Sequence, residues 1–211
     1  MIRPQRLMIY DQTCRGRTLL PGLSHAWTLG SWVYRGLRRF DAYQGVSSWA
    51  AAFDWLLARS EHHPIAEVQF WGHGKWGCAR VGAEPFDRGA LVPGHPLYTR
   101  ITALKPRLQS REPGRAPLWW FRTCETLGAT PGQDFAAHLG DALGSRIAGH
   151  THIIGSWQSG LHSLAPGTCP HWSPDEGLKQ GTAEKPLQAH WSGPTRPHTI
   201  HCLQGAIPQG Y

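Results

Sequence analysis

The chain has 211 residues, of which 17% are charged, and its formal net charge is +7 at pH 7. This length fits one domain with a full hydrophobic core, together with an irregular tail at most. The basic residues are scattered, and no basic block interleaved with aromatic residues would follow a phosphate backbone, so we expect no nucleic acid partner.

Residues 1–11 lack the long apolar stretch of a signal peptide, and no apolar run reaches the length of a membrane span. We therefore expect a cytoplasmic protein without membrane contact. The five cysteines are odd in number, widely spaced and without a Cys-x-x-Cys pair, which argues against a disulfide framework and a zinc knuckle. At least one thiol should be free.

Strand and helix patterns alternate along the chain. Short apolar runs predict strands over residues 6–10, 68–73, 118–124 and 147–155. Helical periodicity predicts helices over residues 49–59, after the N-cap pair Ser47-Ser48, over 96–108, where Pro106 favours an early end, and over 132–143. This alternation predicts an α/β fold with a mostly parallel sheet covered on both faces, a three-layer sandwich.

Two segments show neither helical nor strand periodicity in their apolar residues. Residues 14–45 and 156–211 are expected to be long irregular segments able to build a binding surface, with a short strand near residues 199–203. We therefore assign residues 1–155 to an α/β core. Residues 156–211 are expected to form an irregular extension that packs on the same domain.

Two strand ends carry the candidate chemistry. His73-Gly74 follows one apolar run and Cys124 ends another, and reactive groups of α/β sheets gather at the carboxyl ends of the strands. An imidazole beside a thiol provides a general base for a cysteine nucleophile. The backbone N–H groups of Gly74 and Cys124 would stabilise the oxyanion. The neighbouring Glu125 disfavours a thiolate unless its side chain turns outward.

An apolar strand ending in His73-Gly74, with a second ending in Cys124 about fifty residues later, resembles the caspase-like (clan CD) cysteine peptidases. With Gly128 after the cysteine, the layout is also similar to bacterial caspase-like domains, and the resemblance covers roughly residues 6–155. It implies a cysteine endopeptidase with His73 as base and Cys124 as nucleophile. Such an enzyme cleaves a polypeptide substrate through a thioacyl-enzyme intermediate and needs no cofactor.

The resemblance also implies a substrate pocket. In this clan the end of the first strand and the loop after the last core strand line the S1 pocket, which here points to Asp11 and to Trp157, Gln158 and Ser159. An acidic floor would pair with a Lys or Arg side chain, whereas a cap or turn role for Asp11 is the alternative. The Gln-Ala-Cys-x-Gly of caspases is missing around Cys124, so aspartate specificity is not implied.

Other functions are compatible with the same residues. A caspase-like fold without catalysis would serve as a binding or regulatory module. A zinc-binding protein is the second alternative, because two histidines share one strand face and further candidate ligands follow, namely His150, His152, His162, Cys169 and His171. Their spacing matches no ligand signature, so we assign no metal ligand from the sequence.

Overall fold

The computed structural model describes residues 3–17 and 20–211. These residues form four α-helices, α1 (Leu23–Gly36), α2 (Trp49–Arg59), α3 (Tyr98–Leu104) and α4 (Ala129–Leu143). The strands in chain order are β1 (Gln5–Asp11), β2 (Gly16–Arg17), β3 (Leu20–Pro21), β4 (Ala42–Val46), β5 (Ile65–Trp71), β6 (His73–Lys75), β7 (Cys78–Val81), β8 (Glu84–Phe86), β9 (Leu118–Arg122), β10 (Arg146–His150), β11 (Trp157–Gln158), β12 (Leu161–Leu164), β13 (Leu178–Gly181), β14 (Pro186–Ala189) and β15 (Ile200–His201).

A six-stranded sheet forms the centre of the molecule. Its strand order is β12-β10-β9-β5-β1-β4, and every neighbouring pair is parallel except β10 and β12. The predicted mixed α/β fold with a mostly parallel sheet is therefore confirmed. None of the described helices has the length and apolar character needed to cross a membrane.

Capping residues and a proline explain where the helices begin and end. The Ser48 hydroxyl accepts a hydrogen bond from the Ala51 N–H at 3.1 Å, so Ser48 is the N-cap of α2, as predicted. α3 ends at Leu104 and continues as a short 3₁₀ turn, Lys105–Arg107, that contains Pro106. α4 ends at Leu143, and its C-cap Gly144 has a φ of 61°, a left-handed conformation that favours glycine.

The segment over residues 14–45 is more regular than predicted, since it contains α1 and β4. On α1, Tyr34 is buried, but Leu29 and Trp32 are exposed, so apolar residues occur on both sides of this helix. The positions of the apolar residues in the sequence therefore do not show the helical periodicity of α1. Thr18 and Leu19 of this segment lie outside the described residues.

The segment over residues 156–211 is also more regular than predicted. Its strand β12 joins the edge of the central sheet, where Leu161 pairs with His150. The expected short strand near residues 199–203 is β15, which pairs with β11. The extension therefore completes the sheet of residues 1–155.

Alternate residues of the strands pack on opposite faces of the sheet. Leu7 and Ile9 belong to a large buried cluster with residues of α2, α3 and α4, whereas Met8 packs with Tyr34 of α1 on the other face. Further along that sheet, Trp120 packs with Leu161 and with residues near the carboxyl terminus. Side chains of β1 thus pack on both faces.

Candidate functional site

The carboxyl ends of β5 and β9 lie side by side in the sheet. The two strands are parallel, and Trp71 at the end of β5 pairs with Arg122 at the end of β9. His73 and Cys124 each follow two residues later, so both emerge at the same edge. Both side chains line one cavity of about 460 Å³.

Helix α1 forms one wall of this cavity. Trp27 and Tyr34 of α1 line it together with Arg122, Gln158 and the segment 154–156. The lining residues that the structure describes include no Asp or Glu, while they include the Arg122 guanidinium. The cavity wall is therefore apolar apart from one cation and a few neutral polar groups.

The His73 ring is exposed and touches the cavity wall through an aromatic contact. The ring of Trp27 stands edge-on to it, with centroids 5.5 Å apart and planes at 76°. No hydrogen bond connects the His73 ring with Cys124, and both residues belong to the described part of the chain. The imidazole and the thiol share a cavity without being hydrogen-bonded to each other in this conformation.

The Cys124 thiol lies in a surrounding that favours its neutral form. Its Sγ is 3.9 Å from the carbonyl oxygen of Ile154. Burial raises the pKa of the thiol above its ordinary value, and the charge of Glu125 raises it further. The thiol is therefore protonated at neutral pH and needs a base before it can act as a nucleophile.

Glu125 adopts an unusual backbone conformation next to the thiol. Its φ of 38° lies in the left-handed region, where a non-glycine residue is strained. Its N–H donates to the His152 carbonyl at 2.9 Å, and its own carbonyl accepts from the Trp76 N–H at 3.0 Å. Burial raises the pKa of its carboxyl group, although Lys75 opposes this shift. Glu125 is buried rather than turned to solvent.

Gly74 is required for close packing against the loop that carries Cys124. A Cβ at this position would lie 2.0 Å from the Thr126 Oγ1 and 2.9 Å from the Cys124 carbonyl oxygen. The Thr123 and Thr126 hydroxyls hydrogen-bond each other at 2.5 Å within this loop. The Cys124 N–H donates to no other group among the described residues, so it is free for a ligand.

Arg122 is the residue of this site that the sequence analysis missed. It is buried, and its guanidinium donates to the Gln158 Oε1 at 2.7 and 3.1 Å and to the Tyr34 hydroxyl at 2.6 Å. Two further bonds go to the carbonyl oxygens of Cys202 and Gln204. The available signal was a single charged residue at the end of an otherwise apolar run, residues 118–122.

Arg122 is also surrounded by aromatic rings. Its Cζ lies 4.6 Å from the ring centroid of Trp120, 5.1 Å from that of Trp71 and 5.5 Å from that of Tyr34. Such contacts stabilise a desolvated cation. Its hydrogen-bond acceptors are all neutral, so its positive charge is not neutralised by a bonded carboxylate.

The predicted substrate-binding residues separate in the structure. Asp11 is buried away from the cavity, where its carboxylate accepts from the Thr13 N–H at 2.8 Å and the Gly82 N–H at 3.1 Å. This is the turn role that the sequence left open. Gln158 lines the cavity, whereas Trp157 is exposed and Ser159 is buried, and neither of them lines it.

Two of the five candidate zinc ligands are bonded to a backbone carbonyl or a hydroxyl group. The His150 Nδ1 bonds the Ser159 carbonyl at 3.1 Å, and burial lowers the pKa of His150 to about 3. The His152 Nδ1 bonds the Thr151 hydroxyl at 2.9 Å, and burial lowers the pKa of His152 to about 4. Cys169 is exposed. These groups do not gather around one point.

Comparison with models of known protein families finds no matching family, and comparison with curated proteins finds no significant match.

Proposed function

We propose that the chain is a cysteine endopeptidase with a caspase-like, three-layer α/β fold, in which His73 is the general base and Cys124 the nucleophile. The observation that carries the proposal is that both residues follow adjacent parallel strand ends and open into one cavity. A thiol nucleophile suits the reducing cytoplasm, where we place the protein. Polypeptide is the proposed substrate.

The proposed reaction starts from the neutral thiol. As the peptide carbonyl binds, the His73 imidazole takes the thiol proton, and the Cys124 sulfur attacks the carbonyl carbon. Protonated His73 then gives this proton to the leaving amine as the carbon–nitrogen bond breaks, which leaves a thioester on Cys124. Water, deprotonated by His73, hydrolyses the thioester and restores the thiol.

The oxyanion of each tetrahedral intermediate needs donors that are not already bonded. The Cys124 N–H meets this requirement within the described residues. Gly74 is the second proposed donor, and its lack of a side chain keeps its backbone in contact with the loop that carries Cys124. The two backbone groups thus belong to segments that pack directly on each other.

The charges of the cavity favour an acidic or neutral side chain in the substrate. Arg122 is a cation in the cavity wall, and no carboxylate is present among the described lining residues. A Lys or Arg side chain would meet charge repulsion here, whereas an Asp or Glu side chain would be attracted. All five N–H groups of Arg122 already donate hydrogen bonds within the protein. We therefore expect the preference to come from electrostatic attraction across the cavity, without a direct hydrogen bond to Arg122.

A non-catalytic binding module is the second candidate. It is favoured by the neutral state of the thiol and by the missing hydrogen bond between His73 and Cys124. A binding module would use the same cavity for a peptide segment. The two candidates differ in whether Cys124 reacts faster than the other thiols.

Labelling with peptide acyloxymethyl ketones tests the proposal. These probes alkylate an activated thiol, and we would compare Asp with Lys at the P1 position. We expect wild-type protein to be labelled on Cys124, at least tenfold faster by the Asp probe. The Cys124→Ala variant should not be labelled, and His73→Ala should lose at least 90% of the rate.

Cys202 provides the matched control, because it is a free thiol that lines the same cavity. The Cys202→Ala variant should be labelled as fast as the wild type. If Cys124 and Cys202 react at the same rate, or if His73→Ala has no effect, the peptidase proposal fails. Retained binding of the same peptide with a carboxyl-terminal amide in place of the ketone would then identify the binding module.

A further inference from the structure

A cluster of titratable side chains lies apart from the lining of the His73–Cys124 cavity, within the extension over residues 156–211. One ligand atom each of His162, Glu176 and His198 lies within 4.8 Å of the others. The three residues come from β12 and from two separate loops. None of them lines the cavity of the candidate site.

We propose that His162, Glu176 and His198 bind a zinc ion. Two imidazoles and one carboxylate are a ligand set that Zn²⁺ accepts, with the fourth position left to water. Two ligand atoms at about 2.1 Å from a tetrahedral zinc are about 3.4 Å apart. The His162 Nε2 and the Glu176 Oε1 hydrogen-bond each other at 2.8 Å, and a zinc ion would replace this bond once the two atoms separate by about 0.6 Å.

An unsatisfied ring nitrogen of this cluster supports the assignment independently. His162 is 1% exposed, and its Nδ1 has no hydrogen-bond partner among the described residues. The Nδ1 of His198 is likewise buried without a partner in the described part of the chain. Buried polar atoms without partners are rare in native proteins, so the His198 Nδ1 points to a ligand, whereas the His162 Nδ1 lies across the ring from the Nε2 that would bind zinc.

The cluster is also held in place by its surroundings. The ring of Trp172 stacks on the His162 ring at a centroid distance of 4.8 Å, and its Nε1–H is fixed by the Leu127 carbonyl at 3.1 Å. The Thr151 hydroxyl donates to Glu176 at 3.0 Å. Ligands oriented by packing and by further hydrogen bonds are typical of built metal sites.

Zinc binding here would brace the loop that carries Cys124. The segment around Thr151 bonds Glu176 on one side, while the His150 and His152 carbonyls accept the Leu127 and Glu125 N–H groups on the other. The metal would therefore restrain the base of that loop. This role holds whether or not Cys124 is a nucleophile.

Zinc titration of the full chain tests the proposal. After removal of metals with EDTA and buffer exchange, Zn²⁺ is added while binding heat and thermal unfolding are recorded. We expect one saturable site and a rise in the unfolding temperature. His162 is deeply buried and its removal can disturb folding, so Glu176→Gln and His198→Ala are the informative variants, each expected to weaken binding at least tenfold.

Two controls separate this site from other zinc ligands. His62→Ala removes an exposed histidine in the turn after α2, and Cys124→Ala removes a thiol, a common zinc ligand, from the other cavity. Both variants should bind zinc at the site as the wild type does. The proposal is overturned if no saturable binding occurs, or if Glu176→Gln and His198→Ala bind zinc as tightly as the wild type.

Discussion

Arg122 and Cys124 are two residues apart at one strand end, yet their surroundings differ completely. Arg122 is buried and donates five hydrogen bonds to four acceptor atoms, whereas among the described residues the Cys124 sulfur has one long hydrogen bond, to the Ile154 carbonyl. The arginine connects β9 with α1 and with the late segments at Gln158, Cys202 and Gln204. The strand end is therefore fixed from inside, while the thiol beyond it stays available to a ligand.

Removing the Arg122 side chain should have the largest effect on stability. In Arg122→Leu, the Gln158 Oε1 loses both hydrogen bonds from Arg122, and among the described residues the carbonyl oxygens of Cys202 and Gln204 keep only the single Tyr34 hydroxyl as a shared donor. A buried polar group without a partner costs about 1–3 kcal/mol, so we expect the free energy of unfolding to fall by about 3 kcal/mol or more. Urea unfolding followed by tryptophan fluorescence measures this change.

Arg88→Leu is the matched control for Arg122→Leu. Arg88 also bonds a side chain, Asp134, at 2.8 Å, but its side chain is 57% exposed. Exposed ion pairs contribute about 1 kcal/mol or less, so this variant should unfold near the wild-type urea concentration. Equal losses in the two variants would mean that the Arg122 network does not hold the strand end.

A change at Gly74 tests how the loop that carries Cys124 is positioned. In Gly74→Ala the new methyl group would meet the Thr126 Oγ1, so either β6 or the loop over residues 123–126 must move. Overpacking of this kind costs about 1–3 kcal/mol. We expect a smaller loss of stability than in Arg122→Leu. Labelling of Cys124 by the peptide ketone should fall at least tenfold.

Gly36→Ala controls for the generic effect of adding a methyl group. A Cβ at Gly36, the last residue of α1, would meet nothing within 4 Å. Alanine favours a helix over glycine by up to about 1 kcal/mol, so stability should stay the same or rise. If Gly74→Ala leaves both stability and labelling intact, Gly74 does not position the loop of Cys124.

The surroundings of Arg122 and of Cys124 also differ in how far the sequence predicts them. The position of His73 near Cys124 follows from two apolar runs and from the rule that parallel strand ends meet at one edge. The partners of Arg122 do not follow, because they come from residues 34, 158, 202 and 204, which no local pattern connects. Helix α1 was missed because its exposed side is apolar as well.

Glu125 is the charged neighbour of Cys124, and removing its charge should have the smallest effect on stability. Burial raises the pKa of this carboxyl, so the folded state keeps its proton at pH values where the unfolded state has lost it. Stability from this group is therefore present at low pH and lost as the pH rises through the raised pKa. Glu125→Gln should unfold like the wild type near pH 4 and be more stable at pH 7.

The same variant tests the thiol directly. Since the charge of Glu125 helps to raise the pKa of Cys124, Glu125→Gln should lower that pKa and speed alkylation of Cys124 by iodoacetamide at pH 8. Burial is the larger cause of the shift, so only part of it should disappear. An unchanged alkylation rate, with Cys202 as the internal reference, would mean that burial alone keeps the thiol neutral. Exposure of the Cys124 side chain, rather than loss of its charged neighbour, would then be needed to form the thiolate.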